Sequence, residues 1–338
     1  MKNTENIKNK ELLTVAPGPH IRAGDGVTGI MLTVMIALIP SFVWGIYVFG
    51  PRAALVGLIA VISAVATEAA VQYILKRPVT VKDCSAALTG LLLGLNLPVS
   101  VPLWMPFIGS VFAILVVKQL FGGIGKNFLN PALAARVFLF SWTPEMTRFT
   151  APFTKLPLFS SHIDAVAEAT PLSYLNNGEI PYGVTLLDAV LGNMAGCIGE
   201  VSSLLLILGG LFLVVRRVIS LHIPAAFIGT VFALTYLFPK GDLDVQFPLY
   251  SIFSGAVMLG AFFMATDYTT SPLTNTGKII FGVGCGALTV AIRYFGGYPE
   301  GVSFAILIMN ITVPFIDKLT APKPYGYVKE SGKKEAKV

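Results

Sequence analysis

Charge is scarce in this sequence. Only 12% of its 338 residues are Asp, Glu, Lys or Arg, 54% are hydrophobic, and the mean hydropathy is +0.75. Soluble domains carry about 25% charged residues, so the composition excludes an ordinary water-facing globular domain and indicates a membrane protein. Cysteine is also rare: Cys84, Cys197 and Cys285 stand apart with no C-x-x-C spacing. An iron–sulfur cluster usually takes four thiolates, so these three read as small buried helix residues. His20, His162 and His222 are equally scattered, and no metal or haem is expected on this chain alone. No acid–base pair or nucleophile triad is visible. A net charge of +6 raises the question of nucleic acid. The basic residues sit in short connectors and in the tail, where membrane topology accounts for them, so no nucleic-acid partner is expected.

What is present is a series of apolar runs. A membrane span takes about 20 apolar residues, and shorter ones serve when broken or tilted. On that basis the sequence predicts ten: Gly29–Phe49, Ala53–Leu75, Ser85–Leu97, Val101–Phe121, Phe128–Trp142, Ile198–Val215, Ile219–Phe238, Leu249–Thr266, Ile279–Phe295 and Val302–Ile316. The hydrophilic residues 1–28 carry no apolar core with a cleavage site, so no removable signal peptide is expected. Most Lys and Arg fall in the two tails and the even-numbered connectors, including Lys76, Arg77, Lys82, Lys126, Arg216, Arg217 and Lys278. The positive-inside rule then places both termini in the cytoplasm of a cytoplasmic (inner) membrane and the long polar break, Thr143 to Tyr182, outside. The expected organisation is a first five-helix half (29–142), an outer loop (143–197), a second half (198–316) and a basic tail (317–338).

A weak internal repeat supports that division. Phe121-Gly122-Gly123 and Phe295-Gly296-Gly297 each precede a last span bearing an asparagine, Asn130 or Asn310. Five spans per half gives the halves opposite orientation. The expected fold is therefore all-α integral membrane, with two inverted five-helix repeats containing short or broken helices.

Within the polar break lies Asp164-Ala-Val-Ala-Glu-Ala169-Thr170-Pro171-Leu172. Three Ala-Thr pairs occur, ending at Thr67, Thr170 and Thr266, and only Thr170 has an aspartate six residues earlier. The same residues suit a plain helix start, with Thr at the cap and Pro at the first position. The D-x-x-x-x-A-T pattern resembles the flavinylation motif of the membrane subunits of the Rnf and Nqr redox pumps. Further stretches carry the same likeness: Phe121-Gly-Gly-Ile-Gly-Lys-Asn127-Phe-Leu-Asn130-Pro131, and Gly192-Asn-Met-Ala-Gly196-Cys-Ile-Gly199-Glu200. Over nearly its whole length the chain resembles the D subunit of the Rnf complex. It is similar also to the B subunit of the Na⁺-translocating NADH:quinone reductase, which usually has a longer N-terminal extension. Ala167 and Glu168 depart from the family's preference for Ser/Thr and then Gly at those places.

The resemblance implies an electron-carrying translocase subunit working between ferredoxin and NAD, coupled to Na⁺ or H⁺ export. It implies FMN held by a phosphoester on the Thr170 hydroxyl, with small neighbours such as Ala169 leaving room. Asp164 would be read by a flavin transferase or help place that enzyme's metal. It also implies partner membrane and soluble subunits and a noncovalent flavin, riboflavin, inside the membrane region. Gly192, Gly196 and Gly199 are candidates for its site, because glycine permits close backbone approach; a plain turn is the other reading. Intramembrane charges are the default suspects for ion movement. Arg136 is expected to face flavin electron density or to pair with Glu68. Asp267, with Thr266, Thr269, Thr270 and Ser271, offers hard oxygens for Na⁺, or else is a solvated helix end. Lys118 and Arg293 are expected to snorkel. A urea-transporter-like channel is the competing class.

Overall fold

The computed structural model describes residues 26–159, 169–179, 181, 183–240, 245–297 and 300–322. Asp164, Ala167, Glu168, residues 1–25 and residues 323–338 lie outside the described residues. All regular structure among them is helical.

Four helices are long and apolar enough to cross a membrane: α1 (Val27–Phe49), α2 (Pro51–Ile74), and two described below. Gly50, at φ +83°, makes the turn between the first two, and Pro51 opens the second with its φ already set. Their surfaces invert the soluble pattern. Ile36, Val43, Leu58 and Ile62 are exposed, while Ser63, Glu68 and Gln72 are buried. Lipid is the solvent for such a surface, and polar groups turn inward to find partners. Together these features describe a multi-pass membrane protein.

Shorter helices follow. They are α3 (Ser85–Leu95), α4 (Trp104–Val111, continuing as a π-helix over Phe112–Gln119) and α5 (Pro131–Leu139). The α2–α3 contact is backbone-close. A Cβ on Gly90 would stand 2.5 Å from the Ala60 carbonyl oxygen, and one on Gly94 would stand 3.0 Å from Gly57 Cα. This is small-residue packing at i, i+4 within a membrane. Gly90→Val is expected to lower stability by about 1–3 kcal/mol through overpacking, measured as a lower midpoint of thermal unfolding in detergent.

Three small helices lie between residues 143 and 197: Thr143–Met146, α6 (Pro171–Asn176) and α7 (Leu186–Leu191). Thr185 and Asp188 form a capping box on the third. The bonds from the Thr185 hydroxyl and backbone N–H hold the Asp188 carboxyl below its usual pKa. The second half comprises α8 (Ser203–Val215), α9 (His222–Leu237), α10 (Gln246–Phe253), α11 (Val257–Leu259, continuing as a π-helix over Gly260–Met264), α12 (Asn275–Phe295) and α13 (Val302–Thr320). The third and fourth long apolar helices are α12 and α13. Segments α10 and α11 are one broken element, bent by 62°. The predicted sixth run, Ile198–Val215, begins its helix only at Ser203. Its first residues instead pair with the end of α3, Gly199 N donating to Leu95 O (2.8 Å) and Ile198 N to Leu97 O (3.1 Å).

The two asparagines of the repeat meet. Asn130 caps α5 by accepting from the Ala132 and Leu133 amides, and its Nδ2 donates to Met264 O (3.2 Å). With the Asn310 amide turned to satisfy both its ends, its oxygen accepts from Asn130 N at 3.1 Å.

Candidate functional site

Arg136 occupies the interior. It is 1% exposed and sits on α5, whose start is fixed by the Asn130-Pro131 cap. Its Nη1 donates to Asn96 Oδ1 (2.8 Å), Glu200 Oε1 (3.0 Å) and Ser303 Oγ (3.2 Å). Its Nη2 donates to Glu300 Oε2 and to Cys197 Sγ (3.5 Å). Asn96 is oriented for this because its own Nδ2 donates to Leu92 O (2.7 Å). The backbone hydrogen bonds from 198 and 199 to the end of α3 hold the turn that carries Cys197 and Glu200 at the same point. One guanidinium thus binds groups from α3, the turn before α8, and the start of α13. A planar fork of donors suits this better than a lysine would.

The expected Arg136–Glu68 pair is not formed. Glu68 instead pairs with Lys118 Nζ at 2.7 Å, while Gln119 Nε2 donates to the same carboxylate oxygen at 2.9 Å. Lys118 is buried, not snorkelling, and also donates to Ser85 Oγ (2.6 Å). The π-helical turn that ends the α4 element carries it inward. Arg293 is likewise buried, donating to the carbonyls of Ser251 (2.6 Å) and Ser254 (3.4 Å), which the break between α10 and α11 leaves without helical partners.

Thr170 shares a recess with the acids of the Arg136 cluster. It is the N-cap residue of α6, with Pro171 at the first position, so the helix-start reading holds for its backbone. Its hydroxyl makes no cap hydrogen bond. Instead the residue lines a recess of about 250 Å³ with Pro171, Leu172, Gly196, Gly255, Glu200 and Glu300. Esterification calls for an exposed hydroxyl, yet Thr170 is only 9% exposed, because Met194–Gly196 folds against it; Ala169 beside it is exposed. Gly196, on the lining of the recess, faces open space: a Cβ there would meet nothing within 4 Å. The other two glycines serve packing. A Cβ on Gly192 (φ +103°) would strike Val201 O at 2.7 Å, and one on Gly199 would strike Leu95 at 2.5 Å.

A larger cleft, about 810 Å³ including the open space in front of it, lies among α1, α3, the π-turns and the residues after Met264. Apolar walls come from Ile30, Val34, Leu88, Phe262 and Phe263, and polar groups from Ser85, Lys118, Asn127 and Asp267. Asp267 accepts at Oδ2 from Thr269 (2.8 Å) and Thr270 (3.2 Å). Thr266 instead donates to Phe262 O in its own helix. Asp267 and Lys118 therefore share a cleft. Sequence reasoning missed Glu300 and Lys118 as functional partners, and Glu200 entered only as the end of a glycine-rich stretch.

Known proteins resemble the chain over most of its length. The NQR2, RnfD, RnfE family model matches residues 14–326. In Acetobacterium woodii, the D subunit of the Na⁺-translocating ferredoxin:NAD⁺ oxidoreductase complex is 48% identical over 334 residues, covering 97% of this chain and 99% of the relative. The D subunit of the proton-translocating ferredoxin:NAD⁺ oxidoreductase complex of Clostridium ljungdahlii is 41% identical, covering 94% and 97%. That of the ion-translocating oxidoreductase complex of Stutzerimonas stutzeri is 42% identical, covering 89% and 93%. This chain belongs to the NQR2, RnfD, RnfE family.

Proposed function

We propose that this chain is the D-type membrane subunit of an ion-translocating ferredoxin:NAD⁺ oxidoreductase and carries FMN as a phosphoester on Thr170. Its ten helical segments form two inverted five-helix halves in the cytoplasmic membrane, with both termini inside and Thr170 outside. The Thr170 hydroxyl is the observation that carries this reading. It stands at a helix start without capping it and lines a recess together with Gly196. A flavin there supplies one- and two-electron exchange. The recess orients the attachment point, and α6 fixes the backbone on its far side. Partner subunits bring NAD chemistry and iron–sulfur clusters, and a flavin transferase matures the chain. The exported ion is Na⁺ or H⁺, since one relative is named for each.

The noncovalent flavin belongs in the 810 Å³ cleft rather than at Gly192–Glu200. The recess beside Gly196 has less than a third of that volume. Apolar walls with a few convergent polar groups suit a flat ring with hydrogen-bonding edges. The cleft's Lys118 would offer a positive charge to that ring, and Asn127 and Ser85 would offer polar contacts.

Intact-mass measurement after co-expression with the transferase tests the attachment. The wild-type chain is expected to be heavier by one FMN unit and to fluoresce after denaturing electrophoresis. Thr170→Ala is expected to show neither, with ferredoxin-dependent NAD reduction lost. A bare Thr170 in matured wild-type chain overturns the reading.

A further inference from the structure

Two buried carboxylates converge at the floor of the Thr170 recess, and an attached flavin does not account for them. Glu200 is 1% exposed and the Glu300 side chain 12%. Their nearest oxygens and Cys197 Sγ all lie within 4.8 Å of one another. Cysteine and two carboxylates are the donor types of a metal site. Arg136, however, already donates into all three groups and fills the cation's place.

The charges facing Glu200 come from every element around it. Arg136 on α5 bonds both carboxylates directly. Arg293 on α12 gives its hydrogen bonds to the Ser251 and Ser254 carbonyls instead. Cys197 is a thiol from the same turn as Glu200, and Glu300 precedes α13. One guanidinium thus serves two acids. Glu200 Oε2 is buried and has no hydrogen-bond partner. An ionised oxygen left so pays its desolvation without return, whereas a protonated one becomes a neutral donor. A second carboxylate this close, in low dielectric, favours that proton on Glu200.

We infer that Glu200, held beside Glu300, is a proton-binding site that exchanges with the outer water through the Thr170 recess. The step is a simple one. A proton arrives from water and forms an O–H bond on Glu200 Oε2, and nothing is oxidised or reduced. The recess is the route because Thr170, Gly196, Glu200 and Glu300 all line it. The site needs no group on Thr170, so it stands or falls separately from flavin attachment. If that attachment holds, the site supplies charge compensation beside an arriving electron.

Infrared difference spectroscopy of the purified complex, recorded as a function of pH, reads this site directly. A carboxylic-acid C=O band is expected to titrate, to shift in D₂O, and to vanish in Glu200→Gln, which keeps an acceptor for Arg136. The same band is expected to persist in Thr170→Ala. Gly196→Leu, which narrows the recess without removing either acid, is expected to slow D₂O exchange of the band at least tenfold. If no titrating band is lost in Glu200→Gln, the site does not exist. If exchange in Gly196→Leu keeps the wild-type rate, the recess is not the route.

Discussion

Replacing Arg136 with methionine is expected to destabilise the chain by about 3–5 kcal/mol, the largest effect of any single substitution considered. Removing one partner of a buried ion pair leaves the other charge without compensation, and that loss exceeds what the pair itself contributed. Here two carboxylates lose their guanidinium at once, along with Asn96 Oδ1, Ser303 Oγ and Cys197 Sγ. Because those partners come from both halves of the chain, the variant is expected to yield little assembled protein in the membrane. Combining Arg136→Met with Glu200→Gln and Glu300→Gln removes the orphaned charges and is expected to recover more than half of the lost stability. Chemical denaturation in detergent, run on all variants, gives the comparison. If the triple variant is as unstable as Arg136→Met alone, charge compensation is not the cause. Arg136→Lys is expected to fall between, since an ammonium cannot fork toward so many acceptors.

The second large effect belongs to Lys118. Lys118→Met is expected to cost about 3 kcal/mol, because Glu68 keeps only the Gln119 amide as a partner and its Oε2 already has none. The effect should be smaller than at Arg136 for a geometric reason: Lys118 lines the 810 Å³ cleft, so water can reach the vacated space. Adding Glu68→Gln to Lys118→Met is expected to return most of the loss. A double-mutant cycle on thermal unfolding measures the coupling, and additive losses would rule out a compensated pair. If the noncovalent flavin lies in this cleft, Lys118→Met also releases it, seen as free riboflavin on gel filtration.

Much of the architecture was legible from the apolar runs and their punctuation. Thr170-Pro171 read correctly as a helix start, because capping is a local matter of three or four residues, whereas the fifth run, expected from Phe128, begins its helix at Pro131. The repeat asparagines, marked only by their position after the two Phe-Gly-Gly turns, meet in space. Charge pairing was not legible. Arg136 finds its acids 64 and 164 residues away, and nothing in local pattern distinguishes those from Glu68. Lys118 sits near the end of its apolar run and so resembles a snorkelling residue. Only the widened helical turn sends it inward, and no sequence period announces a π-turn. Gly192 and Gly199 misled for a related reason: glycine signals that something comes close, but not whether it is a ligand or the protein's own backbone.

The broken element around Ser254 and Gly255 has one more consequence. Gly255 borders the small recess, and twelve residues onward Asp267 borders the large cleft. The helical part of that run, Val257–Met264, is α-helical at its start and π-helical beyond. It joins the residue that borders the recess to those that border the cleft. Any displacement of that short helical run therefore alters both chambers together.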